Sequence, residues 1–434
     1  MTPDRLHPRT ALVLLTALNL FNYVDRSVLF AVQPLVQSEF HVNKAQIGLL
    51  TTAFLICYMI AAPFVGPLAD RYSRKLIIAV GAIFWSGLTL LTAVTHTYAE
   101  LFIRHTLVGI GEATFVTIAP TFVADLFSER IRGRILGVFY LAIPVGSAIG
   151  YLMGGYFSRL YGWRFPFYIA AAPGFLVAIS VLFLNEPERG QFDSIEEHLE
   201  SSSIPSGIAP WGKIFLQVKG FLRKLYHQLG LNPAFVTSTL GMAAMTFSLG
   251  GIQVWMPQFL FSERHYSLEH ANFVFGIIVV VDGIVASLAG GWLGDYLLPR
   301  IKSSYYLVSA AGMALGVPFM VLAVFSRGRS MVPAIAASAF FLLLNTSPLN
   351  AAVINSVGAH IRATAIAVNI FIIHSLGDVL SPTMMGWVAD RQSLQTAFIL
   401  PIVAMAISSA ILFYGMRFAP HVAVERSPAQ AHAG

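Results

Sequence analysis

Of 434 residues, 56% are apolar and 11% charged, and the mean hydropathy is +0.71. A soluble chain carries about 25% charged residues, so this one has too few to coat a water-facing surface, which excludes soluble enzymes and nucleic-acid-binding modules. The net charge of +6 lies in short clusters between long apolar runs, a topology pattern and not a nucleic-acid patch, while the one cysteine, Cys57, excludes an internal disulfide and any cysteine-based metal site.

Breaking the chain at charge and turn clusters leaves twelve apolar runs of bilayer-crossing length. They cover residues 11–36, 46–69, 75–94, 100–124, 134–157, 165–184, 233–257, 268–292, 304–325, 330–354, 362–389 and 394–416. The expected fold is therefore all-α, with twelve membrane-spanning helices. Of 27 Lys and Arg, 18 fall on the side of both termini, 7 on the other side and 2 within spans, which predicts both ends cytoplasmic. The polar start, MTPDRLHPRT, runs straight into a span too long for a cleavable signal.

In span one, Asn22, Asp25 and Arg26 stand within one helical turn. A charge at mid-bilayer costs at least about 2.5–3.5 kcal/mol on insertion scales, so these residues are candidates for a site. Span four adds Arg104 and Glu112, eight residues and about 12 Å apart along an ideal helix; span-one residues are then their natural partners. His105, on the same helix, is read as facing elsewhere, as packing. A static polar cluster that ties helices together is the competing reading for these charges.

The loop after span two, GPLADRYSRK, is echoed after span eight by GWLGDYLLPR: Gly66, Leu68, Asp70 and Lys75 match Gly291, Leu293, Asp295 and Arg300 at an offset of 225. Both copies follow the second helix of a six-helix set, which argues for a duplicated bundle. Gly66 is expected at a close helix approach, Asp70 opposite a helix N-terminus, and Arg71 paired with Asp125 or Glu129. The organisation read from this is a first bundle over 1–185, a linker over 186–231, a second bundle over 232–417 and a tail over 418–434. Within the linker, Ile214, Val218, Leu222, Leu225 and Leu229 form a stripe beside Lys213, Arg223 and Lys224, as in a helix lying on membrane lipids.

The second half offers Asp282 in span eight, Asn345, Asn350 and Asn355 in span ten with Gln253 in span seven as polar lining, and His374 with Asp378 four apart in span eleven. The last pair is a candidate for binding a headgroup and equally an ordinary local pair. Nucleotide, zinc-protease and hydrolase motifs are absent, so no enzyme, cofactor or metal is expected. VGIGEATF is no phosphate cradle; Gly109 and Gly111 lie inside a span and serve helix packing.

The loop signature resembles that of the major facilitator superfamily, whose twelve-helix fold covers the whole chain; it departs at Ser73 and beyond Asp295. NYVDR in span one, and RHTLVGIGEA with IAPTFVADLFSERIRGR in span four, are similar to the spinster branch. That resemblance implies a monomeric, proton-coupled secondary transporter of lysophospholipid or sphingosine-phosphate-like lipids working by alternating access, with a bacterial inner membrane favoured by the short loops and tails. It makes Asp25 and Glu112 proton acceptors with Arg104 as their switching partner. Asn22, Arg26, Arg104 and Glu112 are expected as substrate contacts, joined from the second half by His374 and Asp378 on the strength of their spacing alone. Gly66, Asp70, Arg71, Asp125, Glu129, Arg132 and Asp295 become a gating latch. Burial and a nearby guanidinium act oppositely on a carboxylate's proton affinity, so a moving arginine suits such coupling. Transport of a small organic anion or drug, and a non-transporting receptor or scaffold, are the alternatives.

Overall fold

The computed structural model describes residues 8–189, 226–358 and 361–420, and every regular element among them is helical. In hydrocarbon a backbone must satisfy its own polar groups, and a helix does so within one segment. The helices are α1 (Pro8–Phe40), α2 (Lys44–Arg71), α3 (Arg74–Thr92), α4 (Tyr98–Ala124), α5 (Glu129–Tyr140), α6 (Ala142–Tyr161) and α7 (Phe165–Val181). After a π-turn at Tyr226–Gly230 come α8 (Pro233–Ser262), α9 (Leu268–Leu297), α10 (Ser304–Phe325), α11 (Met331–Leu343), α12 (Thr346–Asn355), α13 (Arg362–Ile373), α14 (Ser381–Arg391), α15 (Leu394–Ala397) and α16 (Ile399–Gly415). Among the described residues, eleven spans are long and apolar enough to cross a membrane, four of them assembled from consecutive helices, and the shorter α7 is a twelfth apolar helix. The linker stripe from Ile214 to Leu225 lies outside the described residues; Leu229 is buried in the π-turn.

The chain forms two compact units. The first joins α1–α7 to residues 250–281 and 379–398, so it contains the parts of α8 and α9 adjoining loop 263–267 and the whole of α14 and α15; the second holds the rest of α8 and α9 with α10–α13 and α16. Contacts thus group residues differently from the halves 1–185 and 232–417.

Aromatic packing fills the first unit. Trp85, Phe115, Phe122 and Phe139 are almost fully buried among α3, α4 and α5. Glycine sets how closely α6 lies on α1: a Cβ on Gly146 would stand 2.4 Å from the Leu20 carbonyl oxygen, and one on Gly150 2.6 Å from that of Val24. Such spacing lets backbones touch where lipid gives no hydrophobic drive for association. Gly150→Leu is expected to cost at least the 1–3 kcal/mol typical of overpacking, read as loss of monodisperse protein on size exclusion.

One end of the first unit gathers loops 41–43, 93–97, 162–164, 263–267 and 392–393, tied by hydrogen bonds from Arg164 to Glu39 and the Thr95 carbonyl, from Tyr98 to the Gln46 carbonyl, and from the Leu394 amide to Glu263. Two of these loops are copies of one another. SEFHVN (38–43) and SERHYS (262–267) align at an offset of 224, and His41 and His265 are the two non-glycine residues of positive φ (51° and 57°) among those described. Each is followed two residues later by a helix cap: Asn43 accepts from the Gln46 amide at 2.8 Å and Ser267 from the His270 amide at 3.1 Å. The duplication therefore reaches backbone conformation.

Candidate functional site

Two charged residues of span one, the buried Asp25 and the part-buried Arg26, belong to a polar cluster in the first unit. Arg26 of α1 meets Glu112 of α4, its Nε and Nη2 standing 2.6 and 2.5 Å from Oε2. Glu112 has no exposure at all. The guanidinium lies among the rings of Phe54 at 4.8 Å, Tyr23 at 5.1 Å and Tyr58 at 5.7 Å, whose faces favour a cation. Asp25, the residue before it on α1 and 6% exposed, accepts from the Thr89 hydroxyl of α3 at 3.0 Å. Asn22 is fully buried one turn before Arg26. Asp25, Arg26, Thr89, His105 and Glu112 line a cavity of about 10 Å³, close to what one water needs.

Two sequence expectations change here. Arg104 is not at this cluster: its Nη1 donates to the Leu91 carbonyl at 2.5 Å and its Nη2 lies 3.4 Å from Glu100, near the end where α4 begins. Axial distance explains this, since eight residues keep it from Glu112 whereas Arg26 lies level with that carboxylate. His105, by contrast, joins the cluster, buried and stacked on Phe54 at 5.3 Å. Its place was readable: residues 105 and 112 are seven apart, two turns, on one helix face.

At the opposite end of this unit the hub of the polar network is Arg74, not Arg71. Arg74 is buried, reaches Asp125 at 2.5 Å, Glu186 at 3.5 Å and the Pro187 carbonyl at 2.9 Å, and lies over Phe122. Arg71 and Asp70 are exposed. Among the described residues nothing stands within 4 Å of where a Cβ on Gly66 would be, so this glycine serves no close approach between them. The Asp70 backbone carbonyl instead accepts from Arg189, which also caps Ala69 and Tyr72 at the end of α2. Glu129 and Arg132 stand in the first turn of α5. Asp295, exposed in the second unit, accepts from the Tyr305 hydroxyl at 2.8 Å.

Glu186, missed by sequence reading, closes the N-terminus of α3. Its carboxylate accepts from the Ser73 hydroxyl at 2.5 Å and from the Arg74 amide at 2.8 Å. Burial pushes its proton affinity up, but these hydrogen bonds and the Arg74 charge outweigh that and hold it below the usual carboxylate range. A lowered acid stabilises the fold above its unfolded-state value and loses that contribution as pH falls through the folded one. Glu186→Gln is thus expected to lower the midpoint of thermal unfolding at pH 7, the gap to wild type closing as the pH drops below the ordinary carboxylate range.

The sequence also missed Asp390. GWVADR (386–391) repeats the GPLADR of residues 66–71, and here the aspartate does meet a helix N-terminus: Asp390 Oδ1 and Oδ2 each accept at 2.8 Å from the amides of Lys44 and Ala45. A Cβ on Gly386 would be 2.4 Å from the Lys44 carbonyl oxygen. The related joint between α6 and α9 pairs Arg159 with Glu269. Gln258 donates to the Gln37 side-chain oxygen at 2.7 Å, tying α8 to α1.

In the second unit His374 Nδ1 lies 2.9 and 3.0 Å from the two Asp378 oxygens, inside a π-turn broken at Gly377. π-Turns within helices often mark functional sites. Asp282 is buried in α9. Asn345 and Asn350 spend their amides on their own helices, on the carbonyls of Phe341, Leu342 and Thr346. Gln253 lends its backbone carbonyl to Tyr151, and Asn355 is partly buried near the end of α12. Gly109 and Gly111 pack against backbone: their Cβ positions would be 2.5 Å from the Phe54 carbonyl oxygen and 2.7 Å from that of Gly81.

Residues 15–382 match the profile of the Major Facilitator Superfamily. Protein spinster homolog 1 of Xenopus tropicalis is 32% identical over 406 residues, covering 89% of this chain and 73% of that protein. Protein spinster of Drosophila melanogaster is 32% identical over 386 residues, which are 86% of this chain and 60% of that protein. A solved bacterial homolog of the human lysosomal transporter spinster, inward-facing and unoccupied, has a TM-score of 0.79 at 23% identity, over 96% of this chain and 98% of that one, and so shares the fold. A superfamily profile running through both repeats, with relatives at about one-third identity along nearly the whole chain, makes this multi-pass membrane protein a member of the major facilitator superfamily and of its spinster-type transporters.

Proposed function

We propose that the chain is a proton-coupled carrier of an amphiphilic anionic or zwitterionic lipid, working as a monomer by alternating access in a bacterial inner membrane with both termini cytoplasmic. The Arg26–Glu112 pair carries this reading. A carboxylate with no exposure keeps its charge only while a partner neutralises it. If Arg26 turns to an anionic headgroup, Glu112 must take a proton, and Asp25, which lines the same small cavity, offers the next acceptor. Substrate and proton then bind together because both depend on one arginine. The aromatic rings around Arg26 keep the guanidinium tolerable while it changes partner.

The bundles 1–185 and 232–417 are the moving bodies in this proposal, with His374 and Asp378 as the second bundle's headgroup contact. The joints at Asp390 and at Arg159–Glu269 form the gate on one side of the membrane. The Arg74–Asp125–Glu186 network is part of the latch on the other. The test is uptake of a labelled lysophospholipid into proteoliposomes with and without an imposed pH gradient. Uptake raised by the gradient is expected. Movement of small water-soluble anions alone would overturn the lipid assignment and leave the fold untouched.

A further inference from the structure

On the flank of the first unit, between α6 and the first turns of α9, runs a groove of about 300 Å³ lined by Leu152, Met153, Tyr156, Phe157, Glu269 and Phe273. Tyr156 and Phe273 are half exposed, at 50% and 51%, and in a membrane that exposure is to acyl chains. The groove is apolar along its length and ends in charge. From Leu152 to Arg159 is seven residues, about 10 Å of helix axis, and there the Arg159 guanidinium pairs with the carboxylate of Glu269, itself part of the wall. Arg159 remains 67% and Glu269 31% exposed.

An acyl chain gains little by leaving bilayer for such a groove, because lipid tails are as apolar as its walls. Any preference must come from the charged end. An exposed ion pair contributes little on its own, so it is readily exchanged for stronger contacts. The two opposite charges match a headgroup carrying both a phosphate, which suits a guanidinium's paired donors, and a primary ammonium, which donates to a carboxylate. A trimethylammonium has no proton to donate to Glu269, and a headgroup with phosphate and no amine meets its negative charge.

We infer that the α6–α9 groove is a resident-lipid site for an ethanolamine-type phospholipid of the surrounding bilayer, phosphate on Arg159, ammonium on Glu269 and one chain along Met153 and Phe273. The lipid spans both helices of the joint and braces it. This site is separate from the Arg26–Glu112 cluster, and its occupant is not the transported molecule.

The experiment is native mass spectrometry of the full chain released from bilayers with equal amounts of ethanolamine, choline and glycerol phospholipids. One ethanolamine lipid should be retained about tenfold over choline, the effect of one charge-assisted hydrogen bond. Glu269→Gln should erase the ethanolamine-over-choline preference, Arg159→Ala should lower retention of all three, and Met153→Trp should expel the lipid with both charges in place. Glu269→Gln replaces a partly exposed carboxylate by a near-isostere, so the folded chain remains for comparison. Equal retention of the three headgroups, or a preference that survives both Glu269→Gln and Met153→Trp, would overturn the site. So would displacement by the transported lysolipid, or a lipid-free dimer sealed along this face.

Discussion

Glu112→Gln is expected to leave a folded protein whose uptake, if proton-coupled as proposed, no longer responds to a proton gradient. The substitution keeps shape but removes the charge opposite Arg26, and stranding one member of a buried pair costs about 3–5 kcal/mol. The rings of Phe54, Tyr23 and Tyr58 recover part of that for the guanidinium. Arg26→Met is the milder change, because Glu112, fully buried and left without its partner, takes up a proton as it does in the proposed cycle, whereas a guanidinium cannot give one up. The decisive variant is the double one, Arg26→Met with Glu112→Gln. It removes both charges, so thermal stability should return toward wild type, with a coupling energy of opposite sign to the two single losses. Gradient-driven uptake should stay absent. Were uptake restored along with stability, the pair would be a structural tie and the coupling reading would fail.

Asp390→Ala should loosen the end of the first unit that holds the loop copies. Its two oxygens satisfy the Lys44 and Ala45 amides, while the capping box of Asn43 and Gln46 serves the next donor, so the truncation uncaps only part of the α2 terminus. Losing such a cap costs about 0.5–2 kcal/mol, a shift of about 2- to 30-fold between closed and open forms of this end. Spin labels on Ser38→Cys and Gln392→Cys, in a chain whose Cys57 is changed to Ser, would report it as growth of a longer-distance population. An unchanged distance distribution would mean that Asp390 only trims the helix end.

Composition and span length made the helices legible, because hydrocarbon leaves a chain few other options. The charged residues of α1 and α4 stood out for the same reason. Which of them touch did not follow, since helix rotation and relative height depend on packing that one sequence does not display. Arg104 and Arg26 are equally conspicuous as letters, yet only Arg26 is level with Glu112. The GPLADR motif drew attention to residues 66–71, but the aspartate that caps a helix proved to be in its copy at 386–391. That copy, and SEFHVN against SERHYS as well, stand in the sequence as short repeats. Glu186 carried no such signal: one acid after a helix looks like any solvated charge until α3 is seen to begin beside it.

The Asp390 joint also bears on how the protein is made. The Lys44 and Ala45 amides receive their carboxylate from a residue synthesised 346 and 345 positions later. At about 5–20 residues per second, α2 waits on the order of 20–70 s with only the Asn43 cap on its first turn. Nor can the first unit close until residues 379–398 have left the ribosome, since they are part of it. Insertion of its opening helices and completion of their packing are therefore separate events, at nearly opposite ends of translation.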